Sequence, residues 1–453
     1  MNILNIGDKV KLDIRKQGIN GEGIGYYNKL AIFVPGAILK ETINVEITDV
    51  KPNFALGKID SIERSSTKRV VPPCKFYELC GGCQMQHIDY TEQLKIKQSI
   101  LVQSLRKYTP SLNADQLVEK TLGMKDGYGY RNKSQMPFRN LNFGLALGLY
   151  QPGTNHFVFV DECAVQHPMI NQINKQALQV LRKHKMMAHD TLNKEGILLH
   201  LVVRYLEVTN EASVTFIVTK YVDELKLIAK ELAQKNDVIK SVSYSINRRN
   251  SNIIFGSDVK FLIGSEKIHD KVDDLDIAMS PDAFHQLNSL QMNVLYKELL
   301  KRAGLTGKET VIDCYSGIGI TTLQLAKVAK KVYGIDYSEA SIENAKENAK
   351  RNHITNTEMY ADHVEGALPK ILGTGVKADL IVLDPPRTGL DQSVIKAIKN
   401  AKIKKILYVS CNPSTLAKNF AELMPEYQVN SILPIDMFPH TASVESITLL
   451  ERK

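Results

Sequence analysis

The sequence predicts an α/β protein with a doubly wound sheet in its C-terminal part, behind a small N-terminal β-barrel and a mixed α+β central region. Three observations predict it. At 453 residues the chain is too long for one ordinary core, which points to several domains. A hydrophobic share of 43% and a charged share of 24% belong to a folded globular chain, not a disordered one. From about residue 271 onward, strand-like and helix-like segments alternate. That is the pattern of a parallel sheet whose ligands sit at the carboxyl ends of its strands.

Residues 1–65 contain KVKLDI, LAIFVP, TINVEITDV and FALGKIDSI, short β-branched segments separated by Gly, Asn or Pro. Five short strands in this length fit an oligonucleotide-binding-like barrel, with the run Gly18–Gly25 as a glycine-rich turn. A β cap that only packs on its neighbours is the ordinary alternative. Residues 66–270 form the central region. Within it, 90–108 has helical periodicity in Leu94, Ile96, Ile100, Leu101 and Leu105, an apolar face able to pack on the C-terminal domain. Tyr130-Arg131-Asn132-Lys133 and Asn247-Arg248-Arg249-Asn250 are basic, amide-bearing stretches suited to phosphates and base edges. Residues 271–453 carry the alternation, with strands expected at TVIDCY, KVYGID, TEMYAD, ADLIVLD and KILYVS, and SVESITLLERK as a closing strand.

A net charge of +9 and a pI near 9.0 favour a polyanionic partner such as RNA or DNA. No apolar run approaches the roughly 20 residues that cross a bilayer, and Asp8, Lys9 and Lys11 interrupt any N-terminal secretory segment. The expected protein is cytoplasmic, monomeric and without a membrane partner.

Of six cysteines, Cys74, Cys80 and Cys83 cluster, and Cys163, Cys314 and Cys411 stand apart. Clustering in a reducing compartment points to metal ligation, not disulfides. Cys74-x5-Cys80-x2-Cys83 with the distant Cys163 offers four thiolates, enough for an iron–sulfur cluster. A structural zinc site is the competing reading, although such sites more often use paired Cys-x-x-Cys knuckles.

The first strand of the C-terminal domain ends in Asp313-Cys314-Tyr315-Ser316-Gly317-Ile318-Gly319, a loop through which backbone can approach a ligand closely. The second ends in Asp336, where ribose hydroxyls need an acceptor, and the third in Asp362, placed to meet an adenine edge. The loop lacks the third glycine of a dinucleotide site, so S-adenosylmethionine fits better than NAD. The fourth strand ends in Asp384-Pro385-Pro386-Arg387, an acid on a rigid platform suited to a planar base.

The fifth strand ends in Ser410-Cys411-Asn412-Pro413. Cys314 reads as core filler, whereas Cys411 stands at the ligand edge and before a helix, where a thiol is expected to be acidified. Uracil carbon 5 becomes nucleophilic once a thiolate adds to carbon 6. Such chemistry needs a base near Cys411, and Glu445, between the last two expected strands, is the candidate. An amino-group methyltransferase shares the Asp-Pro-Pro platform but needs no cysteine, and is the alternative enzyme. A non-catalytic RNA-binding or iron–sulfur protein is the alternative from another class.

With Phe284-His285-Gln286 and His440–Glu445 added to these motifs, residues 280–453 resemble the RNA 5-methyluridine (uracil-5) methyltransferases. The whole chain resembles the 23S ribosomal RNA branch, with its N-terminal TRAM barrel and iron–sulfur motif; the bacterial tRNA enzymes are shorter and lack both. The resemblance implies Cys411 as nucleophile and Glu445 as base. It implies that Gln286, Tyr315, Asp336 and Asp384 contact the methyl donor or the base. It favours a 4Fe–4S cluster on Cys74, Cys80, Cys83 and Cys163, and 23S ribosomal RNA over tRNA as substrate. Ser443 stands where the family often has histidine, so the helper to the base is either missing or supplied by His440.

Overall fold

The computed structural model describes residues 4–248 and 253–453. Arg249 and Asn250 of the second basic stretch therefore lie outside the described residues. The N-terminal sheet has six strands, not five, in the order Lys9–Asp13, Thr42–Val50, Phe54–Arg64, Leu30–Val34, Gly23–Tyr27, Lys16–Gln17. The extra strand is the two-residue Lys16–Gln17, too short to show as an alternating pattern. Gly23 and Gly25 are strand residues rather than turn residues. A Cβ on Gly23 would stand 2.7 Å from the Ala37 Cβ, so glycine is there for close packing.

The central sheet runs in the order Val259–Gly264, Ile239–Ile246, Glu211–Val218, Leu198–Leu206, Lys133–Leu141, Gly144–Tyr150, Phe157–Phe159. Helices Pro168–Lys183 and Glu224–Lys235 bury their apolar faces in the core on this sheet. A hairpin, Ile268–Val272 with Leu275–Met279, shares the core of the C-terminal sheet instead.

That C-terminal sheet contains β1 (Thr310–Cys314), β2 (Lys331–Asp336), β3 (Thr357–Ala361), β4 (Leu380–Leu383), β5 (Lys405–Ser410), β6 (Tyr427–Ile435) and β7 (Glu445–Arg452). Its order is β3-β2-β1-β4-β5-β7-β6, with β1 to β5 parallel. Alternate residues serve two cores: Val311, Val382 and Leu407 face one, Ile312, Ile381 and Ile406 the other. The sequence-expected closing strand β7 is not the edge. It lies antiparallel between β5 and β6, and β6 escaped notice because Pro434 and polar residues interrupt its apolar pattern. The edge at β6 is itself covered, since Glu119 and Leu122 N–H groups donate to the carbonyls of Ile432 and Pro434.

Helix Tyr90–Tyr108, capped by Asp89, buries Leu101, Val102 and Leu105 in the second of these cores, beside helix Pro413–Leu423. Order along the sheet reverses between β1 and β4, which makes their carboxyl ends the natural ligand crevice. Among the described residues no helix is long and apolar enough to cross a membrane.

Candidate active site

A cavity of about 710 Å³ opens at that crevice, and its wall includes Gln286, Tyr315, Gly317, Asp336, Asp384, Arg387, Cys411 and Glu445. Six of the seven residues expected from sequence to meet donor, base or reacting atoms line it; Asp362 is the exception. At one end, Gly317 and Gly319 hold φ of +54° and +88°, and a Cβ on Gly319 would meet the Ala345 Cβ at 2.9 Å. The Asp336 carboxylate accepts from the Gly317 and Ser338 N–H groups, both at 2.9 Å, so β2 and the glycine loop are locked together. Behind them the Thr322 hydroxyl donates to buried Asp313 at 2.6 Å, whose carboxyl burial pushes up to about 7. Asp362 does not join the site: it is half-buried and paired with Lys370 at 3.0 Å, and His363 and Val364 line the wall there.

At the other end, Asn412 caps helix Pro413–Leu423 by accepting from the Ser414 N–H at 3.1 Å. Its amide also donates to the Arg387 carbonyl at 2.9 Å, tying the Cys411 loop to the Asp-Pro-Pro turn. Glu445 is the first residue of β7, paired with Ile435, and is buried. It begins a strand, where sequence reading had it between two strands.

The electrostatics correct another expectation. The Cys411 thiol is raised to about 11, first by burial and then by Glu445 and Asp384, with Arg387 acting against them. The helix behind it does not prevail over two carboxylates in front. Burial also raises Asp384 to about 7. Glu445 is held well above the ordinary carboxylate range by burial and by Asp384, with Arg387 opposing. A thiol and two carboxyls thus share a pocket with one nearby cation, and each resists charging while the others are charged.

Several partners were invisible in sequence. Asn132 donates to the Gln286 carbonyl and the Ser289 hydroxyl, both at 2.9 Å, and Tyr130 donates to the Pro439 carbonyl at 3.1 Å. Half of the first basic stretch therefore props the site's walls instead of offering itself to RNA. No local signal marks such a role 154 residues from its partner. His440 points away from the cavity wall: its ring stacks on Tyr128 with centroids 4.1 Å apart and meets Gln93 at 3.1 Å. It is no helper to Glu445. Cys314 is fully buried in the core.

Cys74, Cys80 and Cys83 lie on one irregular connection and Cys163 on another, all half-buried. Burial raises the thiols of Cys80, Cys83 and Cys163, and neighbouring cysteines add to each shift. The Gly82 N–H approaches the Cys80 Sγ at 3.4 Å, a donor of the kind that supports a thiolate ligand. The donor set suits a cluster, yet among the described residues no three His, Cys, Asp or Glu side chains are gathered to hold a metal ion.

This sheet order, its ligand crevice and the appended N-terminal sheet define a Rossmann-like methyltransferase with a TRAM domain. Residues 89–453 match the family model described as tRNA (Uracil-5-)-methyltransferase, and residues 4–59 match the TRAM domain. An uncharacterized RNA methyltransferase of Enterococcus faecalis is 40% identical over 449 residues, covering 99% of this chain and 98% of its own. Another, of Halalkalibacterium halodurans, is 41% identical over 451 residues, covering 99% and 97%. Among solved structures, the Pyrococcus abyssi tRNA (uracil-54, C5)-methyltransferase in complex with S-adenosyl-L-homocysteine matches with TM-score 0.77 at 27% identity. That match covers 97% of this chain and 99% of the other. The chain belongs to the tRNA (uracil-5-)-methyltransferase family and is an enzyme that methylates RNA.

Proposed function

We propose that the enzyme methylates carbon 5 of a uridine in RNA through a covalent Cys411 adduct, with Glu445 as base. One observation carries this reading: Cys411, Asp384, Glu445 and Gln286 share one cavity with Asp336 and the glycine loop. S-Adenosylmethionine, along Asp336 and Gly317, supplies an electrophilic methyl on a cationic sulfur. Cys411 loses its proton to solvent, favoured by Arg387, and its Sγ bonds to uracil carbon 6. The electrons of the 5,6 double bond move towards oxygen 4; as they return, carbon 5 bonds to the methyl while the methyl–sulfur bond breaks and its electrons leave with neutral S-adenosylhomocysteine. Glu445 removes the carbon 5 proton, the electrons left behind re-form the double bond, and the carbon 6–Sγ bond breaks to return the thiolate. Asp384 and Gln286 hold the edge of the base, and Tyr315 flanks the donor.

Glu445→Gln is expected to leave adduct formation intact and stop its resolution. A denaturing gel should then show RNA attached to protein, with turnover down by roughly 10²–10⁴-fold. Normal turnover without adduct removes Glu445 from the role of base.

We propose 23S ribosomal RNA as the substrate, on the resemblance to that branch. A tRNA substrate is the second reading, favoured by the Pyrococcus tRNA enzyme, which aligns along 97% of this chain. Overall architecture alone therefore does not separate the two. Methyl incorporation into unmodified 23S and transfer RNA, with mapping of the labelled uridine, decides between them. We also propose that Cys74, Cys80, Cys83 and Cys163 hold a 4Fe–4S cluster of structural role, supported by the four-thiol donor set and the Gly82 N–H. Zinc in place of iron in the anaerobically purified protein would overturn that assignment.

A further inference from the structure

One face of helix Tyr90–Tyr108 is spent on the nine-residue connection between β6 and β7, residues 436–444, which delivers Glu445 to the cavity. Gln93 and Lys97, one turn apart, are both fully buried. Gln93 accepts from the His440 N–H at 3.0 Å. Lys97 Nζ donates to Asp436 Oδ1, to the Phe438 carbonyl at 3.0 Å and to the Ser443 carbonyl at 2.9 Å. All three ammonium donors are therefore used, and their acceptors lie at both ends of the connection. Between Gln93 and Lys97 on that face, Ile96 packs with Val444, the residue before Glu445.

Stability alone does not account for this arrangement. An ion pair with no solvent exposure on either side gives back most of its attraction as lost hydration, and apolar replacements of such pairs are often neutral or better. A pair of that kind is informative when it fixes a geometry. Here it draws Phe438, on the cavity wall, and Ser443 onto one nitrogen.

We propose that Lys97 is a positioning residue for the proton-removal step, stapling the 436–444 connection so that Glu445 meets carbon 5 of the bound uracil. This rests on Glu445 as base. Lys97 touches neither substrate nor reacting atoms and acts through the backbone at Phe438 and Ser443.

The test uses full-length enzyme in two forms, Lys97→Met and the charge-neutral pair Lys97→Met/Asp436→Asn. The single variant leaves Asp436 buried without its cation and is expected to melt early or to fail to fold. The double variant removes both charges and is expected to recover the wild-type melting temperature within a few degrees. It should still form adduct at the normal rate with RNA containing tritium at uridine carbon 5, but release tritium at least about tenfold more slowly. KM for RNA and for the donor should stay within about threefold, so that the loss falls on kcat.

A double variant that releases tritium at the wild-type rate overturns the proposal, because Lys97 then only balances Asp436. So does one that loses activity without accumulating adduct. Glu445→Gln runs beside it to separate the two ideas. If Glu445→Gln accumulates adduct and the double variant does not, the positioning role alone falls. If Glu445→Gln accumulates none, the base assignment falls and the present proposal with it.

Discussion

Cys411 stands one residue past β5, in a loop flanked by the parallel ladder to β4 and the antiparallel ladder to β7. Cys74, Cys80 and Cys83 stand on a connection with no helix or strand, and Cys163 on another. The first cysteine meets its partners chiefly through backbone ladders, with the Asn412 amide tying its loop to the Arg387 carbonyl. The other four are neighbours without reaching a ligating arrangement. Sheet register is fixed by hydrogen bonds within the chain, so a residue at a strand's carboxyl end is placed whether or not a ligand is present. Ligands on irregular connections owe their final geometry to what they bind, because metal binding and folding are one equilibrium there. The comparison teaches where covalent chemistry and where metal ligation can be read from a chain.

The largest expected effect is on the first cysteine. Cys411→Ala should abolish methylation, by a thousandfold or more and thus at least about 4 kcal/mol of transition-state stabilisation. Donor binding, proposed to rest mainly on Asp336 and the glycine loop at the other end of the cavity, should hold within about threefold. An undiminished rate in RNA methylation assays would instead make the enzyme an amino-group methyltransferase using Asp384 alone.

Cys83→Ser should have the second effect, at the other end of the comparison. On the proposed 4Fe–4S assignment, it should abolish iron binding and the visible absorption that goes with it. It should destabilise the fold by an amount belonging to loss of a metal, roughly 4 kcal/mol or more, seen as a lower melting temperature. Donor affinity by calorimetry should stay near that of the parent, since Asp336 and the glycine loop stand on β2 and β1. Full iron content in Cys83→Ser would remove that residue from the ligand set.

The contrast also explains what the chain disclosed. The alternation from residue 271 announces β1 to β5, and strand ends carrying Asp336, Asp384 and Cys411 announce the cavity, because the signal for each is local. Register across the sheet has no local signal. Nothing in SVESITLLERK says that it inserts between β5 and β6, nor that Glu445 starts the strand beside Cys411. The contacts of Asn132, Arg387 and Lys97 were not legible for the same reason, although Asn132 and Arg387 stood in motifs singled out, since those contacts exist only through partners distant in sequence or on a neighbouring turn. The acidified thiol expected from a helix N-terminus failed differently. The helix is where it was expected, but burial raises the thiol first, and Glu445 on β7 and Asp384 just past β4 add to it.

Those charges lead to the smallest effect. A sulfonium cation entering the cavity favours the charged form of each carboxyl, so the proton affinity of Asp384 and Glu445 falls when donor binds. Asp384 starts near 7, so at neutral pH it gives up part of a proton on binding and at pH 6 most of one. Binding that releases protons strengthens as pH rises. Donor affinity should accordingly climb between about pH 5.5 and 7.5, by up to tenfold per unit for each coupled proton. Calorimetry at pH 7 in phosphate and in Tris should give different apparent enthalpies, the difference reporting protons released. S-Adenosylhomocysteine, with a neutral sulfur, should release fewer. Asp384→Asn should flatten the profile near 7. Equal enthalpies in both buffers, or affinity that weakens as pH rises, would mean the donor's sulfur does not sit against the carboxyls that face Cys411.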